Sequence, residues 1–180
     1  TALGQGALSA NTTASNNTAV GWSTLQANTT GTNNTAVGVS AGLAVTTASE
    51  ATLIGRHAGI SLTTGASNTF IGGRAGQNTT TAIENTAVGQ AALLTNSTGA
   101  NNTAIGRGAL LSNTTASNNT AVGRNAMVSM TTGTNNVAVG RLALATNNTG
   151  DQITAIGNES LTSATTGSNN TALGHQSGAE

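Results

Sequence analysis

Apolar positions along this chain are sparse and evenly placed. A small aliphatic residue stands directly before a glycine at Gly4, Gly21, Gly38, Gly55, Gly72, Gly89, Gly106, Gly123, Gly140, Gly157 and Gly174, and every gap is seventeen residues. The unit reads N-T-A-V-G-x-x-A-L-x-x-N-T-T-G-x-N, seen cleanly from Asn85 to Asn101, and no insertion or deletion interrupts ten complete periods. Such self-similarity is the signature of a repeat architecture, in which each unit packs only on its neighbours. A single array over residues 1–180 is expected, cut from a longer protein.

The unit predicts strand and turn, not helix. Thr, Asn and Gly crowd it, and these are poor residues for a helix interior. Thr18, Ala19 and Val20 alternate in direction as a short strand does, and Gly21 then permits a tight bend. The later Ala-Leu pair, as at Ala92 and Leu93, leads into turn-forming N-T-T-G-x-N and predicts a second short strand. The fold class is therefore all-β, a parallel β-solenoid of seventeen-residue coils. Coils stacked at about 4.8 Å give a rod on the order of 50 Å long.

Stacking in register turns each position of the unit into a column. Val20, Val37, Ile54, Ile71, Val88, Ile105, Val122, Val139, Ile156 and Leu173 form an aliphatic column, expected to face inward. The alanines beside it, Ala19, Ala36, Ala87, Ala104, Ala121, Ala138, Ala155 and Ala172, then face outward, small enough for close contact with another copy. An unbroken threonine column from Thr13 to Thr166 is expected to hydrogen-bond hydroxyl to hydroxyl. Asn17, Asn34, Asn68, Asn85, Asn102, Asn119, Asn136 and Asn170 predict an amide ladder interrupted at Ala51 and Ile153.

The leucine column of Leu8, Leu25, Leu93, Leu110, Met127, Leu144 and Leu161 becomes Gly42, Gly59 and Gly76 in the third to fifth coils, marking a core subtype over residues 38–88. Leu43 and Ile60, with Val45 and Leu62, are the residues available to refill that space in the third and fourth coils. The packing of the fifth coil does not follow from the sequence. A coil with roughly two aliphatic side chains, each worth about 1.5–3 kcal/mol, cannot offset the ordering of its own backbone, so burial against other chains is expected.

Composition narrows the chemistry. Only 6% of the 180 residues are charged, and formal net charge is zero, which removes the electrostatic basis for nucleic-acid binding. Cysteine, proline and lysine are absent, so thiolate metal sites and cysteine nucleophiles are excluded. No apolar run reaches the length of a membrane span, so no membrane insertion is expected of this segment. His57 and His175 lie about seven periods apart and cannot share a zinc ion. Glu50 and Glu84 are two periods apart, with nothing to converge on. No catalytic residue, metal or cofactor is predicted, and an enzyme is not expected.

The T-A-V-G and T-A-I-G strings, preceded by Asn, resemble the N-S-V-A-I-G repeats in YadA-like heads of trimeric autotransporter adhesins. They are also similar to N-T-A-V-G-x-x-A-L repeats of phage tail fibres and bacterial surface fibres. The likeness covers the whole chain and implies a left-handed parallel β-roll packed as a homotrimer. It further implies a rigid, non-catalytic rod, extracellular at a cell surface or on a virion, that presents or carries a surface recognising a host or prey cell. The chain departs from the adhesin heads in having seventeen rather than about fourteen residues per coil.

Arg107, Arg124 and Arg141 occupy one position in three successive coils, and Arg56 holds it in the fourth. Such a stripe suits a sulfated, phosphorylated or sialylated cell-surface glycan, or it keeps a neutral rod soluble, with Glu159 as a partner. Trp22 stands at the equivalent position of the second coil, placed to stack on a sugar ring or to rest on its neighbours. The unbroken threonine column motivates an alternative, a monomeric ice-binding β-solenoid. Its near-complete neighbour column of Thr12, Thr29, Thr46 and their equivalents is adjacent in sequence and so points the other way.

Overall fold

A computed structural model describes residues 1–179. The chain winds into stacked coils whose strands form one parallel sheet of eleven in strict sequence order. Strand β1 spans Ala2–Leu3, and β2 to β11 span Thr18–Val20, Thr35–Val37, Thr52–Ile54, Thr69–Ile71, Thr86–Val88, Thr103–Ile105, Thr120–Val122, Val137–Val139, Thr154–Ile156 and Thr171–Leu173. Register is seventeen residues throughout: Val88 pairs with Ile105, and Ala104 with Ala121. Among the described residues there is no helix, hence none long and apolar enough to cross a membrane.

Each coil contributes one strand, not two. The Ala-Leu segment is a run of turns because its backbone alternates in sense: in the sixth coil Ala91 and Leu93 take φ of 58° and 54°. Left-handed geometry of this kind costs an ordinary residue about 1–2 kcal/mol. Bonds between coils hold it, as when the Leu93 N–H donates to the Ala109 carbonyl at 2.9 Å. The glycine after each strand from β1 to β10 is fixed on two counts. At Gly123 φ is 136°, and a Cβ there would lie 2.4 Å from the Gly140 carbonyl oxygen, so the coils could not approach.

The two faces of the strand are exchanged relative to expectation. The alanine column lies inside: Ala19, Ala36, Ala87, Ala104, Ala121, Ala138 and Ala155 are fully buried within a single chain, and Ala172 is partly buried against the same core. The aliphatic column faces out, with Ile105 at 39% and Val139 at 36% exposure. The lumen is narrow. The leucine from the opposite wall reaches across it, leaving room for only a methyl group on the strand side.

The third to fifth coils show the complementary swap. Where the leucine column becomes glycine, the alanine column becomes Leu53 and Phe70, both fully buried. A Cβ on Gly42 would meet Leu53 at 2.6 Å, and one on Gly76 would meet three ring atoms of Phe70 at 2.5–2.6 Å. Phe70 therefore packs the fifth coil, and Leu53 supplies most of what the two coils before it need. Val45 and Leu62 join them in the core, but Leu43 and Ile60 remain half-exposed on the outside.

Polar ladders run along the axis. In the Asn17 column each buried side chain bonds twice to the following coil: Asn102 Nδ2 donates to the Ala116 carbonyl at 2.9 Å, and Asn102 Oδ1 accepts the Asn119 N–H at 3.0 Å. A second buried amide column, Asn11–Asn28 and Asn96–Asn113, stops where Val45 and Met130 replace asparagine. Those breaks leave Asn28 Oδ1 and Asn113 Oδ1 unpaired. The threonine ladder lies in the Thr12 column instead of the Thr13 column. Its bonds run hydroxyl to carbonyl, as from Thr63 Oγ1 to Thr80 O at 3.0 Å. Thr13 and its equivalents project outward.

Candidate functional surface

Three neighbouring columns form a lateral ridge just beyond the strand. The first residue after the glycine, the position of Arg56, Arg107, Arg124 and Arg141, is exposed in each of those coils. The second residue takes a left-handed backbone, and there the side chain varies most: His57, Arg74, Ala91, Gly108, Asn125 and Leu142 follow one another. The fifth residue is half-buried and apolar in mid-rod, at Leu94, Leu111 and Val128.

All five arginines lie on the first two of these columns. Their partners differ. Arg141 pairs with Glu159 and donates through Nε to Asn158 Oδ1 at 3.0 Å. Arg107 Nε donates to Gln90 Oε1 at 3.1 Å, and Arg74 Nε to Gln77 Oε1 at 2.6 Å. Arg124 makes no side-chain hydrogen bond among the described residues. The stripe is thus a neutralised end at Arg141 and a cationic stretch before it. The amide of Gln176, and then the Arg141 guanidinium, hold the Glu159 carboxyl below its ordinary value. Partial burial, with Arg56 and Arg74 nearby, lowers the affinity of His57 for a proton.

Trp22 is 54% exposed, five coils from Arg107 or about 24 Å along the axis, so the two belong to no common site. What sequence reasoning missed is a groove of about 330 Å³ on the ridge, between Arg74 and Asn125. Small residues at Ala91 and Gly108 interrupt a column of longer ones, and that interruption was the available signal. Its polar wall carries Gln90 and Arg107, and its apolar wall Leu94, Leu111 and Val128.

The outer face of the sheet is a second regular surface. Each of β2 to β11 presents Thr-x-Val or Thr-x-Ile outward, except β9 with Val137 in place of threonine and β11 ending in Leu173; the two-residue β1 ends in Leu3. The aliphatic half of that face continues through every coil. Compared with known protein families, curated proteins and solved structures, the chain matches none.

Proposed function

We propose that this chain is a structural and adhesive module, a rod segment of a homotrimeric surface or tail fibre wound as a left-handed β-roll. It would act outside the cell or on a virion and carry a surface that recognises a cell. The observation supporting this is the outward Val/Ile column. Solvent imposes no need for a β-branched aliphatic residue at every coil. Nine such residues from Val20 to Ile156, up to about two-fifths exposed, together with the more exposed Leu173, amount to an apolar stripe on the order of 600 Å², at the upper end of what monomers leave bare. With the threonine column beside it, the face approaches the roughly 800 Å² per partner of a standard interface.

The contact between copies accordingly belongs to Val88, Ile105, Val122 and their equivalents, not to the alanines. Stiffness is the mechanism: ladders of hydrogen bonds along the axis resist bending and hold a recognition surface away from its anchor. Light scattering should give three times the chain mass, and Ile105→Arg with Val122→Arg should reduce it to one. A wild-type chain of single mass would end this reading.

The same face favours a second reading. Its Thr-x-Val lattice repeats at about 4.8 Å between strands and about 6.8 Å along each, a flat mixed array of hydroxyls and methyls suited to ordering water as on an ice plane. A monomeric chain showing thermal hysteresis, lost in Thr103→Lys, would support ice binding. A tripled mass without hysteresis would reject it.

A further inference from the structure

The groove between Arg74 and Asn125 has the character of a small-molecule site, and its walls differ in chemistry. On one side Leu94, Leu111 and Val128 line it with aliphatic surface. On the other stand the Gln90 amide and the Arg107 guanidinium, held together through Arg107 Nε. Arg74 borders the same space, with its Nε already committed to Gln77. The Nη groups of both arginines bond to no described residue, so four amino groups remain to receive an anion. Planar guanidinium donors match a carboxylate in two-point geometry. The acids that could neutralise them lie elsewhere: Glu159 pairs with Arg141, and Glu50 and Glu84 occupy a column on another side of the coil.

The floor explains why the groove exists at this height of the rod. Ala91 and Gly108 leave a gap two coils long, or about 10 Å. At Gly108 an added Cβ would sit 2.5 Å from Asn125 Oδ1 and 3.7 Å from Leu111, so even a methyl group would enter the space. A volume of about 330 Å³ is at the lower limit of ligand pockets and is of monosaccharide size.

We propose that this groove binds an acidic sugar, a pyranose bearing a carboxylate such as a uronic or sialic acid. The carboxylate is received by Arg107 and Arg74, the ring hydroxyls by Gln90 and Asn125, and the C–H face of the ring by Leu94 and Leu111. No aromatic residue lies in the groove, so affinity for a single sugar is in the millimolar range, and strong attachment comes from repetition of the site among copies. The site itself is built by one chain and does not depend on the trimer.

The test is an NMR titration of the isotope-labelled chain with four probes: glucuronic acid, N-acetylneuraminic acid, glucose and sodium sulfate. At least one acidic sugar should shift the Gly108 amide and the Leu94 and Leu111 methyls saturably, with glucose at least tenfold weaker. Arg107→Gln should weaken binding at least fivefold. Gly108→Asn should abolish it, and Asn125 in the same column, with φ of 57°, shows that asparagine suits this backbone. Arg124→Gln, outside the groove, should change affinity less than twofold, and circular dichroism should confirm that each variant is folded. Sulfate moving the leucine methyls as strongly as the sugars would reduce the site to generic charge and overturn the proposal. So would the absence of saturable shifts, or binding that survives Gly108→Asn.

Discussion

Truncation of Phe70 tests the packing logic of the whole rod. Phe70 is fully buried and sits between Gly59 and Gly76, where a Cβ would lie 3.1 Å and 2.5 Å from its ring. Phe70→Ala removes a complete aromatic side chain from a lumen that has no other residue to fill it, which costs about 3–5 kcal/mol. Gly76→Leu alone forces a side chain into the ring, costing about 1–3 kcal/mol for overpacking, with about 1–2 more for a left-handed leucine. Combined, the two changes recreate the arrangement of the sixth coil, where Ala87 faces Leu93 and Leu93 has φ of 54°, beside 56° at Gly76. The double variant should therefore be more stable than the sum of the singles by at least about 2 kcal/mol, a coupling expected only of residues in contact. Guanidinium denaturation followed by far-ultraviolet circular dichroism measures all four stabilities. Additivity within about 0.5 kcal/mol would refute the swap.

Other consequences are equally open to measurement. Asn102→Ala strands the Asn119 N–H inside the rod and leaves the Ala116 carbonyl only its bond from Asn113 Nδ2, which should cost about 1–3 kcal/mol, whereas the exposed Thr98→Ala should change stability by less than about 0.5 kcal/mol by the same denaturation. Gly123→Ala drives a Cβ into the Gly140 carbonyl at 2.4 Å and should prevent cooperative folding; Gly73→Ala, with nothing within 4 Å and no positive φ, should be neutral or stabilising by about 0.4–1 kcal/mol. Because His57 holds its proton less tightly in the folded chain, its contribution is present above its ordinary pKa of 6.5 and is lost as pH falls through the lowered value. Thermal melts should decline over that interval, and His57→Gln should flatten the decline. The depressed Glu159 adds its own loss at lower pH, below the ordinary carboxylate value.

The period carried most of the architecture into the sequence. A column of glycine every seventeen residues, and asparagine interrupted only at Ala51 and Ile153 through the inner coils, left one way for the units to stack. The direction of the strand was less legible. Thr-Ala-Val alternates whichever side is inside, and larger side chains ordinarily favour the interior. The clue was the covariation of Leu53 and Phe70 with Gly42, Gly59 and Gly76, which only a shared lumen explains. A second strand was expected at Ala92 and Leu93 because residue types do not reveal that every other residue there turns left-handed. Of the surface, the arginine column was visible, but Arg74 belongs to the neighbouring column, and the groove emerges only when both are placed beside Ala91 and Gly108.

Register between coils is open to covalent measurement, since the chain has no cysteine of its own. Thr98 and Thr115 stand one coil apart on the outside, and the Thr98 N–H reaches the Thr114 carbonyl at 3.4 Å. Cysteines introduced at both positions lie within the span a disulfide bridges. Oxidation at high dilution should close a bond within one chain nearly quantitatively, while cysteines at Thr98 and Arg107, half a coil apart, should remain reduced. Bridging of the second pair in place of the first would contradict the seventeen-residue stack on which the account rests.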